Sequence, residues 1–185
     1  MNNLPAGLIN NDIEFFVSDD LKAYQLQNRA VIPFEQFDDD VLVAIYSDML
    51  AHPHKINELG LMGISEPKEM IKQYLICNYG GFDNKADMID GKLQPTEYWP
   101  CPFRGNCPHE GKLCDNLRTD TGEFLTKREI EVLELIAIGK LDKEIANLLD
   151  MSPNTVPTHT KNIRIKTGLS RKADLTRFAL TKNLI

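Results

Sequence analysis

The stretch Asp150-Met151-Ser152-Pro153-Asn154-Thr155-Val156-Pro157-Thr158-His159-Thr160-Lys161-Asn162-Ile163-Arg164-Ile165-Lys166-Thr167-Gly168 decides the reading of this chain. Ser152 before Pro153 has the form of a helix N-cap with proline at the first helical position, and Gly168 suits the left-handed residue that ends a helix. The spacing predicts a helix over 152–166 that buries Val156, Ile163 and His159. Working outward, a shorter helix over Asp142 to Leu149 precedes it, with Ile145, Ala146 and Leu149 inward. Further upstream Thr126 and Glu129 form a capping box, and Ile130, Val132, Leu133, Ile136 and Ala137 supply a buried face up to Gly139. Downstream, a fourth helix runs from about Arg171 to Thr181, with Ala173, Phe178 and Ala179 as its apolar contacts. Two short helices joined by a tight turn, the second polar and basic outside, are the arrangement that lays a helix in the DNA major groove.

Charge supports that placement. The whole chain of 185 residues is acidic, with a net charge of −6. Residues 1–124 hold 10 Lys/Arg against 20 Asp/Glu, a net of −10, whereas residues 125–185 hold 11 against 7, a net of +4. From Ser152 onward seven basic residues face one acid, Asp174. A basic end on an acidic body is the footprint of a phosphate-binding module attached to a separate domain.

The string Leu125-Thr126-Lys127-Arg128-Glu129-Ile130-Glu131-Val132-Leu133, followed by Lys143-Glu144-Ile145-Ala146, Leu149, Ser152, Thr155-Val156, His159, Asn162-Ile163, Lys166 and Gly168, resembles the LuxR-type (GerE) helix-turn-helix. The sigma-factor region 4 shares the Glu-Ile-Ala and Thr-Val elements, but His159 and Asn162-Ile163 favour the LuxR type. The resemblance implies that Thr155 and the main chain at Val156 hold phosphates, that Pro157, Thr158 and Lys161 face base edges, and that Arg164 lies along the same helix. It also implies that the fourth helix is a dimer surface, where Phe178 is expected to lie beyond the needs of a three-helix core. Three positions depart from the pattern. Pro157 lies inside the recognition helix and is expected to bend it, Leu141 replaces a capping serine and leaves Asp142 as cap, and Thr167 replaces a core leucine.

N-terminal to this module the pattern is weaker. Ile13 to Val17 and Arg29 to Phe34 show no clear period and read as strand or coil. Val41, Leu42, Ile45, Tyr46, Met49 and Leu50 predict a helix from Asp38 to His52, with Asp38, Asp39 and Asp40 at its positive end. A second helix is expected from Ser65 to Gly80-Gly81, with Met70, Ile71, Tyr74 and Leu75 on one side and Cys77 in its last turn. Residues 82–124 are crowded with Gly, Pro, Asp and Asn, and 115–124 reads as a linker. The expected organisation is mainly α: an N-terminal, largely helical domain with a Cys-rich loop over 1–114, a linker over 115–124, and a four-helix LuxR-type domain over 125–185.

Cys77, Cys101, Cys107 and Cys114 are separated by 23, 5 and 6 residues. Four thiolates suit tetrahedral zinc or a [4Fe–4S] cluster, and a Gly/Pro-rich loop has the freedom to bring them together. Zinc is the first expectation and the cluster the alternative, with His109 as a substitute ligand. Four ordinary thiols in a small core are the plain reading, which leaves open how such an apolar-poor loop stays ordered.

The function expected from the sequence is a cytoplasmic, sequence-specific transcription regulator whose N-terminal domain is stabilised or regulated by a metal centre. Its expected partners are double-stranded DNA, a second copy of the chain and RNA polymerase. No catalytic set is expected, and the longest apolar run, Val41 to Tyr46, is far too short to span a bilayer. The alternatives are a response regulator with a divergent receiver and a thiol or redox protein with a DNA-binding tail.

Overall fold

The computed structural model describes residues 4–182, 184 and 185. The chain divides into two compact units, Met1–Asp115 and Asn116–Ile185.

In the first unit a short helix α1 (Ala6–Ile9) leads into a three-stranded antiparallel meander, β1 (Glu14–Val17), β2 (Ala23–Gln27) and β3 (Ala30–Pro33), in the order β1-β2-β3. Glu14 pairs with Leu26, and Leu26 with Val31. The β2–β3 hairpin turns through Asn28 and Arg29, both at positive φ (50° and 66°), the backbone that a two-residue hairpin needs to match strand twist. Helices α2 (Asp39–Leu50), α3 (Pro53–Leu61) and α4 (Pro67–Asn78) follow, and a tiny hairpin of β4 (Met88–Ile89) and β5 (Lys92–Leu93) turns at Asp90-Gly91. Phe15, Phe34, Phe37, Ile45, Met49, Leu59, Tyr74, Leu75 and Tyr79 share one core, and Leu113 enters it from the cysteine loop.

Several expectations change here. The unit carries a small sheet beside its helices, with β1 and β3 in the two stretches read as strand or coil, and the buried polar Glu14 and Gln25 break the apolar alternation that would have marked β1 and β2 as strands. Helix α3 was not expected: Pro53 opens it at the first position, and its inward positions include Lys55, buried because its ammonium donates to Asn78 Oδ1 at 2.6 Å. The cap of α4 is Glu66, whose carboxylate accepts the Glu69 amide at 2.7 Å, rather than Ser65. The antiparallel meander also argues against the receiver alternative, which needs a parallel alternating α/β sheet.

The second unit holds α5 (Lys127–Ala137), α6 (Asp142–Leu148), α7 (Thr155–Thr167) and α8 (Lys172–Thr181). Ile130, Val132, Leu133, Ile136, Ile145, Ala146, Val156, Ile163, Leu175, Phe178 and Ala179 are its buried apolar residues on these helices. The segment read as a linker folds onto this unit from Asn116 onward. Leu117 is only 2% exposed, its carbonyl accepts the Leu125 amide at 3.1 Å, and Arg118 bridges Phe124. Among the described residues, no helix is long and apolar enough to cross a membrane.

Candidate functional site

Helix α5 is started by the expected capping box: Thr126 Oγ1 accepts the Glu129 amide at 3.3 Å and Glu129 Oε2 accepts the Thr126 amide at 2.9 Å. The same carboxylate takes the ammonium of Lys166 at 2.7 Å, tying the start of α5 to the end of α7. Burial would raise the Glu129 carboxyl, but the Lys166 and Thr126 hydrogen bonds outweigh it and hold the group below its ordinary value. Helix α6 begins at Asp142, with Leu141 as N-cap and Glu144 reaching back to the Leu141 amide at 2.8 Å, so Asp142 lies inside the helix and is not its cap. The turn into α7 passes through Asp150 in the left-handed region (φ 49°), while the Met151 amide returns to the Ala146 carbonyl at 2.9 Å.

Helix α7 starts at Thr155, two residues later than the sequence suggested, because Ser152 and Pro153 form a turn closed by the Thr155 amide on the Ser152 carbonyl at 2.8 Å. Pro157 is therefore the third helical residue. Amides in the first turn have no carbonyl acceptor within the helix, so proline removes nothing there, and the expected bend loses its cause. Val156, Ile163 and Thr167 are buried. The Thr167 hydroxyl donates to the Ile163 carbonyl at 2.7 Å, which satisfies it where the resemblance implied a leucine.

The six residues expected on DNA divide into three groups. Thr155 and Val156 lie in the first turn, with the Val156 side chain fully buried so that only its main chain can meet a phosphate. Thr158 and Lys161 are exposed and, with Ile165 at 65% exposure, form one outward stripe at helical spacing. Pro157 and Arg164 lie on the flank, lining with Thr160 a depression of about 190 Å³ that also touches Ile136, Lys172 and Leu175 of α5 and α8. Ile165 was missed by sequence reasoning, although its seven-residue distance from Thr158 was the available signal. The fourth helix is corrected too: Phe178 is only 6% exposed, packed inside its own unit, whereas Leu180 is 54% exposed on the outer side with Ala173 and Arg177.

In the first unit, Cys77 from α4 and Cys101, Cys107 and Cys114 from the loop all line one cavity of about 140 Å³, together with Met62, Leu113 and His109. All four cysteines are free and half-buried. Burial pushes the Cys77 thiol up to about 12 and raises that of Cys101, the opposite of what an activated nucleophile needs. Among the described residues, no three His, Cys, Asp or Glu side chains stand close enough together to hold a single metal ion.

The loop is organised by tight turns, with the Arg104 amide on the Cys101 carbonyl (3.0 Å), the Cys107 amide on the Phe103 carbonyl (2.9 Å) and the Glu110 amide on the Cys107 carbonyl (3.2 Å). Arg104, buried, draws the ends together by donating Nε to the Trp99 carbonyl (2.9 Å) and Nη2 to the Asp115 carbonyl (2.8 Å). Helix α3 holds the outside, with Glu58 on His109 Nδ1 at 2.8 Å and Lys55 near Asp115 at 3.5 Å. At the base Trp99 packs so closely on Gly80 that a Cβ there would lie 2.4 Å from the indole ring.

Residues 82–97 have a different explanation. Asp87 accepts the Phe15 amide at 2.8 Å, Glu14 accepts the Asp83 amide at 2.7 Å and Glu97 accepts the Gly81 amide at 3.1 Å, so carboxyl groups replace the missing ladder bonds. Burial raises Glu14 to about 9, Glu97 to about 7 and Asp87 well above the usual carboxylate range.

Residues 123–179 match the family profile described as bacterial regulatory proteins, luxR family. The chain is also similar to the oxygen regulatory protein NreC of Staphylococcus aureus, in strains JH9, JH1 and Mu3, at 46% identity over 67 residues. That stretch is 36% of this chain and spans 31%, about a third, of the relatives' length. No solved structure matches the chain. The capped helices, the turn at Asp150 and the family match lead to one conclusion: the C-terminal third of this chain, residues 123–179, is a GerE/LuxR-family helix-turn-helix domain.

Proposed function

We propose that the chain is a sequence-specific regulator of transcription that binds double-stranded DNA with α7 in the major groove. The observation that carries this reading is the outward stripe Thr158, Lys161 and Ile165 on α7. A hydroxyl can serve either a base or a phosphate, a lysine reaches guanine acceptors, and an exposed isoleucine suits a thymine methyl. The Thr155 hydroxyl and the Val156 amide in the first turn of the same helix suit a phosphate, and Arg164 on the flank adds charge toward the backbone. A homodimer through the outer face of α8, at Ala173, Arg177 and Leu180, would read two half-sites. RNA polymerase is the further partner such a regulator would meet, and a cytoplasmic location follows from the same role.

The N-terminal unit, on this reading, is stabilised by a metal centre on Cys77, Cys101, Cys107 and Cys114. Their shared cavity supports it, and metal-binding free energy appears directly as folding free energy in such sites. The test of DNA recognition is selection from a random duplex library followed by titration of the enriched site. An enriched motif whose affinity falls when Lys161 is replaced supports the assignment; a library without an enriched motif refutes it.

A further inference from the structure

Building on the metal-centre reading, we propose that the cavity between α4 and the cysteine loop takes a [4Fe–4S] cluster, with one iron bound to each of Cys77, Cys101, Cys107 and Cys114.

The argument is one of size. Zinc holds sulfur at about 2.3 Å, which in a tetrahedron brings the four sulfurs to within about 3.8 Å of one another and fills the space between them with the ion alone. Here the four cysteines instead line a shared cavity of about 140 Å³, far above the ~10–15 Å³ that one water needs. A cube of iron and sulfide carries its metals at its corners, so it meets four thiolates spread around a cavity where a single ion would require the loop to collapse.

The walls fit the same group. Met62, Leu113 and Phe103 supply apolar surface, and the buried Arg104 sets a cation beside a group whose net charge with four thiolates is negative. The facing acid, Glu110, is occupied: it accepts the Gly105 amide and lies 3.8 Å from Arg104 Nη1. His109 lines the cavity too, with its Nδ1 on Glu58, and the four cysteines are the set that matches four irons one to one. The backbone adds freedom where it is needed, because Cys101 and Cys107 each open a tight turn.

Loading from a preassembled cluster carried by four small thiolates needs no change of oxidation state. Each cysteine thiol replaces one thiolate on iron and passes its proton to the departing sulfur, so four Fe–S bonds break, four form, and four free thiols leave.

The experiment is anaerobic purification of the full chain, then incubation with such a thiolate-ligated [4Fe–4S] cluster, with iron, zinc and acid-labile sulfide counted per chain. The expected result is about four iron and about four sulfide per chain with broad visible absorption, reduced to background by Cys107→Ser. The wild-type count does not depend on whether that variant folds, and hydrogen exchange over 125–182 shows whether the second unit survives in it. One zinc per chain, colourless, overturns the cluster and leaves the metal-centre reading standing. Two iron and two sulfide likewise overturn the four-iron assignment alone. Metal-free protein that takes up nothing while residues 98–114 keep full exchange protection overturns both.

Discussion

Replacing Glu129 by alanine tests how the recognition helix is held. The side chain is almost wholly buried and accepts two hydrogen bonds, from the Thr126 amide at 2.9 Å and from the Lys166 ammonium at 2.7 Å. Losing the cap bond costs about 1 kcal/mol. Removing one partner of a fully buried ion pair costs about 3–5 kcal/mol, but the Lys166 side chain is about a quarter exposed and can turn into water, so about 1–2 kcal/mol is the reasonable share. The expected total is about 2–3 kcal/mol, read as loss of exchange protection over 125–182 in denaturant while residues 13–79 are unchanged. Glu129→Gln keeps an acceptor for the Thr126 amide and should lose about half as much. The pH dependence has a definite sign. The carboxyl is held below its ordinary value in the folded state, so its contribution is present above the ordinary carboxylate range and disappears as pH falls through the lower folded value. Wild type and Glu129→Gln should therefore converge in acid. A loss below about 0.5 kcal/mol for Glu129→Ala, or a difference from Glu129→Gln that ignores pH, would refute the idea that this pair anchors α7.

Four further outcomes are expected. Lys161→Ala should weaken binding to a selected duplex by about 1–3 kcal/mol if it reads a base, or reduce the salt slope by about one if it meets a phosphate; titration at several salt concentrations distinguishes these, and no change in either removes Lys161 from the interface. Leu180→Glu should yield monomers by sedimentation with the second unit intact, whereas Phe178→Glu should unfold that unit, because a charge would replace a packed ring. Glu14→Gln should stabilise the first unit increasingly as pH rises from the carboxylate range toward 9, since the folded chain keeps a proton that the unfolded chain releases; equal denaturation midpoints at pH 6 and pH 9 would contradict this. Gly80→Ala should push Trp99 off the turn that follows α4, and because this is the chain's one tryptophan its fluorescence should shift toward that of a solvated indole.

The amino-acid sequence by itself determined the second unit. Its helices carry their own instructions in short range: the Thr126–Glu129 capping box, the left-handed Gly139 and Gly168, and apolar residues recurring every three or four positions. Local signals of that kind act within a few residues and need no partner from elsewhere in the chain. They also made the four cysteines visible as a set, although not what they enclose.

What only the tertiary structure decided is whatever depends on residues far apart. The β-meander and α3 bury polar groups, Glu14, Gln25 and Lys55, and Glu14 and Lys55 find their partners, the Asp83 amide and Asn78, in distant segments, so no local period announces them. Pro157 looked disruptive until the turn at Ser152 set the start of α7 at Thr155, and Phe178 looked like a free surface until α8 packed against α5. The cysteine cavity has the same origin: Cys77 lies on one helix, three cysteines lie on a loop, and Arg104 and α3 set the distance between them. A sequence lists the ligands, but the space they surround is fixed by packing that spans the whole unit, because burial and pairing are properties of neighbours in space.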